Sequence, residues 1–317
     1  MVGEGAGRGN DKDQRADRPR STSDIFAYGL SLVGFGEDRQ KCSKELSLQR
    51  FRAHFGVDPK TIKKLVHLLT LYCPGFVVDL MCLFMAICWL RLYETESVMA
   101  GRWKRGEKFC RNTVRQYVLE IKKLKPILIN FNNLSKHCKF APVDGKHVPC
   151  FEFRCNPDSK WWSHKFNGPA VGFEVVTDPT DKGLMLWVSR PHPAGTHDLT
   201  VLRGGTKKDK RNWKSTSLYN NLPDGLRLVA DSAYAGQLDK VTTTMDAHDP
   251  KTKELFARMK SMQETLFGRF ECFKVLSYGF RHGKHTDDKL EKIGDSFDAI
   301  AVLIQLDIMN GHPLFDV

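Results

Sequence analysis

The sequence predicts a mixed α/β fold in which a helix-rich region precedes a domain built on a mixed sheet. Two observations lead to this prediction. From about residue 41 to 138, apolar residues recur at helical spacing. From residue 139 onward, short runs rich in Val, Leu and Phe are bounded by Gly, Pro and Asp and are followed by two long helical patterns. We therefore divide the chain into a poorly ordered segment (1–40), a basic helical region of helix-turn-helix type (41–138) and an α/β domain (139–317).

The helical region contains four predicted helices, and each has a recognisable start or end. Asp58 followed by Pro59 is typical of a cap and a first helical turn. A basic turn over 100–106 separates the last two helices. The predicted helices cover 47–55, a stretch from Pro59 to about residue 71 before the break at Pro74-Gly75, 77–93, and a stretch to about residue 125 that is capped by Asn112 or Thr113.

The α/β domain begins with short strands and ends with helices. Strands are predicted over 141–148, 171–177, 185–188, 226–230 and 241–245. A long helix begins at Asp249-Pro250 and extends to about residue 276, and a last helix covers 287–310.

Positive charge is concentrated in the helical region. Residues 41–140 contain 19 Lys and Arg against 7 Asp and Glu, which accounts for the whole formal charge of +12. Such a region is expected to meet a polyanion, and we predict that it binds double-stranded DNA, although a helical bundle with a basic surface is the alternative. The residues predicted to contact DNA are Arg102, Lys104, Arg105, Arg111, Arg115, Lys122 and Lys123.

Composition argues against two other classes of protein. The nine cysteines have no regular spacing, which fits a reducing compartment and not a disulfide scaffold. The apolar run over 80–90 is far shorter than the roughly 20 residues that cross a bilayer. We expect a soluble intracellular protein.

Three acidic residues have the placement that a metal-dependent nuclease requires. Asp144 and Asp231 each follow an apolar, strand-like run, and Glu264 lies within the long helical pattern. Strands that end in carboxylates project them from the edge of a sheet, and a helix packed on that sheet can bring a third to the same point. Carboxylate oxygens are hard ligands that suit Mg²⁺ or Mn²⁺, and three of them can hold two ions.

The segments around these acids resemble a known family. Asp144 begins Asp-Gly-Lys-His, Asp231 lies in Ala-Asp-Ser-Ala-Tyr-Ala-Gly, and Glu264 begins Glu-Thr-Leu-Phe-Gly-Arg-Phe. In the same order they resemble the catalytic blocks of the PIF/Harbinger-type DDE transposases, relatives of the bacterial IS5 group. The segment over 194–199 and the closing Gly-His-Pro-Leu-Phe resemble other blocks of that family.

The resemblance implies a ribonuclease H-like fold and a function. Asp144, Asp231 and Glu264 would be the catalytic metal ligands of a nuclear transposase that cuts DNA at transposon ends and joins 3′ hydroxyls to target DNA with two Mg²⁺ or Mn²⁺ ions. It further implies a homo-oligomer and a separate Myb-like DNA-binding partner. Two alternatives stay open: a domesticated DNA-binding protein without strand transfer, and a nuclease that cleaves without joining.

Three further positions carry expectations of their own. Glu271 stands where many relatives have a basic residue, and we expect this extra carboxylate to weaken the approach of DNA. Asp198 is interpreted as an N-cap or as a group that orients a ligand. Trp161 and Trp162 are interpreted as buried packing in preference to stacking on a base.

Overall fold

The computed structural model describes residues 21–36, 42–151, 158–180, 182–208, 213–283 and 285–314. The helices in these residues are α1 (Thr22–Leu32), α2 (Lys44–Phe55), α3 (Pro59–Tyr72), α4 (Leu80–Leu92), α5 (Glu96–Trp103), α6 (Glu107–Lys122), α7 (Lys125–Leu128), α8 (Asp198–Arg203), α9 (Leu218–Asn221), α10 (Pro250–Glu271) and α11 (Thr286–Met309). The strands are β1 (Phe140–Pro149), β2 (Trp162–Ser163), β3 (Gly168–Thr177), β4 (Met185–Val188), β5 (His192–Pro193), β6 (Arg227–Ala230) and β7 (Val241–Thr243).

The strands form one mixed sheet in the order β2-β3-β1-β6-β7, and β3 also pairs with β4 and β5. Strand β1 is antiparallel to β3 and parallel to β6, and β6 is parallel to β7. Parallel neighbours need a crossover connection, and α8 and α9 lie in the long connection that leads to β6. The predicted fold class, a mixed sheet flanked by helices with a helical region before it, is confirmed.

The N-terminal elements differ from the prediction in three places. Residues 100–103 of the predicted basic turn belong to α5, so the turn before α6 is shorter than expected. The segment expected to be poorly ordered contains α1, because Ser21 and Asp24 form a capping box and Ile25 and Leu30 are buried. Residues 1–20 and 37–40 of that segment lie outside the described residues. Helix α6 begins at Glu107, so the cap expected at Asn112 or Thr113 is wrong; its N-cap is Gly106.

Each face of the sheet is covered by helices. On one face Phe173 of β3 stacks on Phe297 of α11 at 3.8 Å, and Phe270 of α10 stacks on the other side of Phe297 at 4.6 Å. Fully burying one such ring contributes about 1.5–3 kcal/mol. On the opposite face a second cluster joins β1 and β6 to Leu202 of α8 and Leu218 of α9. The part of the sheet where β6 ends beside the middle of β1 is thus covered by helices on both faces.

The helical region packs directly on the α/β domain. Its buried residues and those of β3, α10 and α11 belong to one hydrophobic cluster. Asp307 of α11 accepts a hydrogen bond from the Thr61 hydroxyl at 2.8 Å and one from the Asp58 backbone at 3.2 Å. The predicted boundary at residue 138 stays a prediction, since this core runs across it. Among the described helices, none has the length and apolar character needed to cross a membrane.

Candidate active site

Parallel pairing of β1 with β6 brings Asp144 and Asp231 together at what we call the acidic edge, where β6 ends beside the middle of β1. The register aligns Pro142 with Val229, so Asp144 and Asp231, each two positions further along the chain, lie level. Asp231 directly follows β6 as expected, but β1 continues past Asp144 to Pro149, so the expectation that Asp144 ends its strand is wrong. Asp144 Oδ1 accepts a hydrogen bond from the Gly145 backbone at 2.6 Å. Asp231 ends its strand and caps the short turn that follows, accepting from the Ala233 backbone at 2.9 Å. Two carboxylates far apart in sequence therefore become neighbours.

A third carboxylate, Asp198, joins this pair from the opposite face of the sheet. It is the first residue of α8, and the N-cap is His197, whose ring accepts from the Leu199 backbone. The N-cap interpretation of Asp198 is therefore wrong by one residue. Its Oδ1 lies 3.5 Å from the position that a Cβ on Gly145 would occupy, an ordinary contact distance that places this carboxylate beside β1.

Neighbouring carboxylates contribute to a raised pKa at both Asp144 and Asp198. Burial raises the pKa of Asp144, and the Asp231 carboxylate raises it further. Burial, Asp231 and Asp144 in turn raise the pKa of Asp198. Lys165 lowers the pKa of both groups, and Lys260 of α10 lowers that of Asp144. The edge of the sheet is an acidic site partly compensated by two lysines, and a bound cation would relieve the remaining repulsion.

Glu264 is on α10, as predicted, but its side chain is exposed. The preceding Gln263 is buried, and its amide donates to the carbonyls of Pro142 at 3.1 Å and Val175 at 2.9 Å, which fixes α10 against β1 close to Asp144. Within the described residues there is no group of three or more His, Cys, Asp or Glu side chains placed to hold a metal ion. The structure thus brings Asp144 close to Asp231, and the role of Glu264 as a third ligand stays a prediction.

Beneath the acidic edge lies a buried pair that sequence reasoning missed. Glu174 of β3 is opposite Gly145 in the β1–β3 register, and it is 1% exposed. The Tyr234 hydroxyl donates to Glu174 Oε1 at 3.3 Å. Burial raises the pKa of Glu174 to about 8, and the nearby Asp198 adds to the increase. The only sequence sign of this pair is that Tyr234 belongs to the same motif as Asp231.

Glu271 has a structural partner, which changes its interpretation. Its carboxylate forms an ion pair with Lys146 of β1, whose side chain is only 9% exposed and whose Nζ lies 5.5 Å from the centre of the Phe267 ring. This carboxylate compensates the charge of a largely buried lysine, and the expectation that Glu271 weakens the approach of DNA stays a prediction.

Most of the cations predicted to contact DNA form ion pairs with carboxylates of the same chain. Arg115 and Lys122 of α6 both form ion pairs with Asp295 of α11, which is buried. Further ion pairs join Arg102 to Glu94, Arg111 to Glu96 and Lys123 to Glu120. Among the described residues, Lys104 and Arg105 have no carboxylate partner. Two cations of α6 thus contact α11, and of the seven residues predicted to contact DNA, Lys104 and Arg105 in the α5–α6 turn are the two without a carboxylate partner among the described residues.

Comparison with protein-family models gives a match to the DDE superfamily endonucleases over residues 143–305. The matched segment is more than half of the chain and contains all three predicted ligands. The chain belongs to this family. Comparisons with curated proteins and with solved structures gave no match. The family establishes a transposase or nuclease of the DDE type.

A divalent cation is the cofactor that membership of the DDE family implies. The donor chemistry at the acidic edge fits one: Asp144 and Asp231 supply hard oxygens, and burial together with the Asp231 carboxylate raises the pKa of Asp144, so a bound cation would favour its charged form. Asp144 and Asp231 are therefore the residues that would hold it.

Proposed function

We propose that this DDE endonuclease cuts double-stranded DNA at transposon ends and joins the resulting 3′ hydroxyls to target DNA, using two Mg²⁺ or Mn²⁺ ions bound by Asp144, Asp231 and Glu264. The single observation that carries the proposal is the parallel β1–β6 register, which brings Asp144 of β1 level with Asp231 at the carboxyl end of β6, within the matched family segment. Ligands of open α/β sheets bind outside the carboxyl ends of strands.

Each residue has a defined task in this proposal. Asp144 and Asp231 hold charge at the cleft, and α10 presents Glu264 from the side because Gln263 fixes the helix to Pro142. A bound divalent cation would polarise the phosphodiester and lower the pKa of the attacking water or hydroxyl. Lys165 and Lys260 lie close enough to shift the pKa of Asp144, so they are placed to attract and orient the phosphate.

The test is nicking of a supercoiled plasmid that carries the DNA flanking the gene, with Mg²⁺ or Mn²⁺. Asp231→Asn and Asp144→Asn should abolish nicking while DNA binding by the chain stays nearly intact, because each amide keeps the shape of the side chain but removes a charged ligand. Asp224→Asn is the matched control, since Asp224 is an exposed Asp in the turn before β6. Nicking by Asp231→Asn at the parent rate would refute the proposal.

The same reactions separate the open alternatives. Labelled 3′ ends recovered in target DNA would demonstrate strand transfer. Nicked products without joining would identify a nuclease, and DNA binding without cleavage would identify a domesticated descendant. Glu264→Gln should match Asp231→Asn if Glu264 completes the site.

The helical region is proposed to supply DNA affinity through the α5–α6 turn. Lys104 and Arg105 are unpaired among the described residues, so they are available to phosphates. Removing one cation that binds a phosphate should make the slope of the logarithm of the DNA-binding constant against the logarithm of salt concentration shallower by about one. The family resemblance also leads us to propose nuclear localisation, a homo-oligomeric complex and a Myb-like partner. Fluorescence microscopy would test the localisation, light scattering the oligomer, and co-purification the partner.

A further inference from the structure

The short hairpin between β2 and β3 lies at the acidic edge and is firmly anchored. Ser163 of β2 is buried, and its hydroxyl is hydrogen-bonded to the His147 ring of β1 at 2.8 Å. Trp161, just before β2, is also buried, as expected from the sequence. At the tip, Asn167 has a φ of 49°, which turns the chain into β3. The base of the hairpin is therefore fixed to the sheet.

The hairpin nevertheless exposes two large rings. Trp162 and Phe166 each leave 46% of their surface accessible. The expectation that both tryptophans pack in the interior therefore holds for Trp161 alone. Single exposed apolar residues are common, but two aromatic rings within five residues on an anchored hairpin form a small apolar patch.

The charges around this patch indicate what covers it. Lys165 lies between the two rings in sequence, and its Nζ donates to the Gly145 carbonyl at 2.9 Å, next to Asp144. This contact places the hairpin tip beside the cleft. His164 is exposed as well. Exposed rings with a lysine between them match a chain of bases joined by phosphates better than an uncharged protein surface.

We propose that Trp162 and Phe166 form a stacking platform for unpaired DNA bases, with Lys165 binding the phosphate between them, so that a single strand is led toward Asp144 and Asp231. This deepens the proposed function by defining the substrate at the site as locally unpaired DNA, and it rests on that function for the direction of the strand. Stacking on aromatic rings does not depend on sequence, because every base has a flat face.

The experiment measures binding of the full chain to a fluorescent twelve-nucleotide oligo-dT and to a twelve-base-pair duplex, both without divalent metal. Trp162→Ala and Phe166→Ala should each weaken oligo-dT binding by roughly five- to 150-fold, the range expected for the loss of one stacked base, and should affect the duplex much less. Trp162→Phe should stay close to the parent because it keeps a ring. Tyr72→Ala is the matched control, since Tyr72 is 47% exposed on α3.

Three outcomes would overturn the platform. The parent could fail to bind oligo-dT, both alanine variants could bind it as tightly as the parent, or Tyr72→Ala could lose as much affinity as the two alanine variants. Thermal melting of each variant checks folding. If Trp162→Ala has a lower melting temperature than the parent, the binding result for Phe166→Ala alone tests the platform. The metal-free binding result is independent of catalysis, so a parent that binds oligo-dT through Trp162 but never nicks DNA refutes the proposed function and leaves the platform standing.

Nicking of two duplexes adds a measurement that a purely structural role would not change. Trp162→Ala should cut a fully paired duplex more slowly than the parent does, and should recover on a duplex with mismatched bases beside the cut site. Equal slowing on both duplexes would contradict the platform, whereas Asp231→Asn should cut neither.

Discussion

Replacing Glu174 by Gln should remove a pH dependence of stability that the fold builds into the protein. Glu174 is buried beside Tyr234 and Asp198, and burial raises its pKa from 4.5 to about 8. The unfolded chain releases this proton near the ordinary glutamate pKa, while the folded protein keeps it until about pH 8. Unfolding therefore releases a proton throughout that range, and the free energy of unfolding falls as pH rises.

The magnitude follows from the size of the shift. Each pH unit between the two pKa values lowers the free energy of unfolding by up to about 1.4 kcal/mol, which amounts to roughly 5 kcal/mol at most over the whole range. Glutamine keeps the shape and accepts the Tyr234 hydrogen bond, but it cannot ionise. Glu174→Gln and the parent should therefore agree within about 1 kcal/mol near pH 4.5, and the variant should be more stable by several kcal/mol above pH 8.

Urea unfolding from pH 4.5 to 9, followed by tryptophan fluorescence, measures this difference. Glu254→Gln serves as the control, because Glu254 is exposed on α10 and its removal should leave the pH profile of the parent unchanged. Parallel profiles for the parent and Glu174→Gln would refute the reasoning, since they would show that the buried carboxyl is not the group that keeps the proton.

Three further predictions follow from the ion pairs and from the acidic edge. Glu271→Lys should be less stable than Glu271→Gln by about 1–3 kcal/mol in urea unfolding, because it sets a second cation beside the nearly buried Lys146. Asp144→Asn should raise the metal-free melting temperature at neutral pH, since a raised carboxyl pKa means stability that is lost as pH rises above the ordinary value. The same variant should lose the increase in melting temperature that Mg²⁺ gives the parent. Lys122→Ala should lower stability by about 1 kcal/mol and leave the salt dependence of DNA binding unchanged, whereas Lys104→Ala should reduce that dependence and leave stability intact.

Each of these has a clear contrary result. Equal stability of the two Glu271 variants would show that a second cation beside Lys146 does not destabilise the protein. A Mg²⁺-dependent melting shift that survives in Asp144→Asn would place the cation elsewhere. A lower salt slope in Lys122→Ala would mean that α6 leaves its contact with α11 when DNA binds.

The order of elements and the two strand carboxylates were predictable from local sequence. Apolar runs bounded by Gly and Pro predicted β1, β3, β4 and β6, and Asp249-Pro250 predicted the start of α10. The motifs around Asp144 and Asp231 indicated the family, which the match over 143–305 confirms at the level of DDE endonucleases. These features are local, because strand and helix patterns depend on residues a few positions apart.

Only the tertiary structure decided which charges meet. The partners of Arg115 and Lys146 lie far along the chain, on α11 and at the end of α10, so sequence could not show that these cations are engaged. Asp198 enters the acidic edge because α8 crosses the sheet beside Gly145, and Glu174 is buried because β3 is covered on both faces. Charges and motifs can be identified from the sequence. Whether a charged group faces solvent, a partner or a cation depends on packing between distant segments.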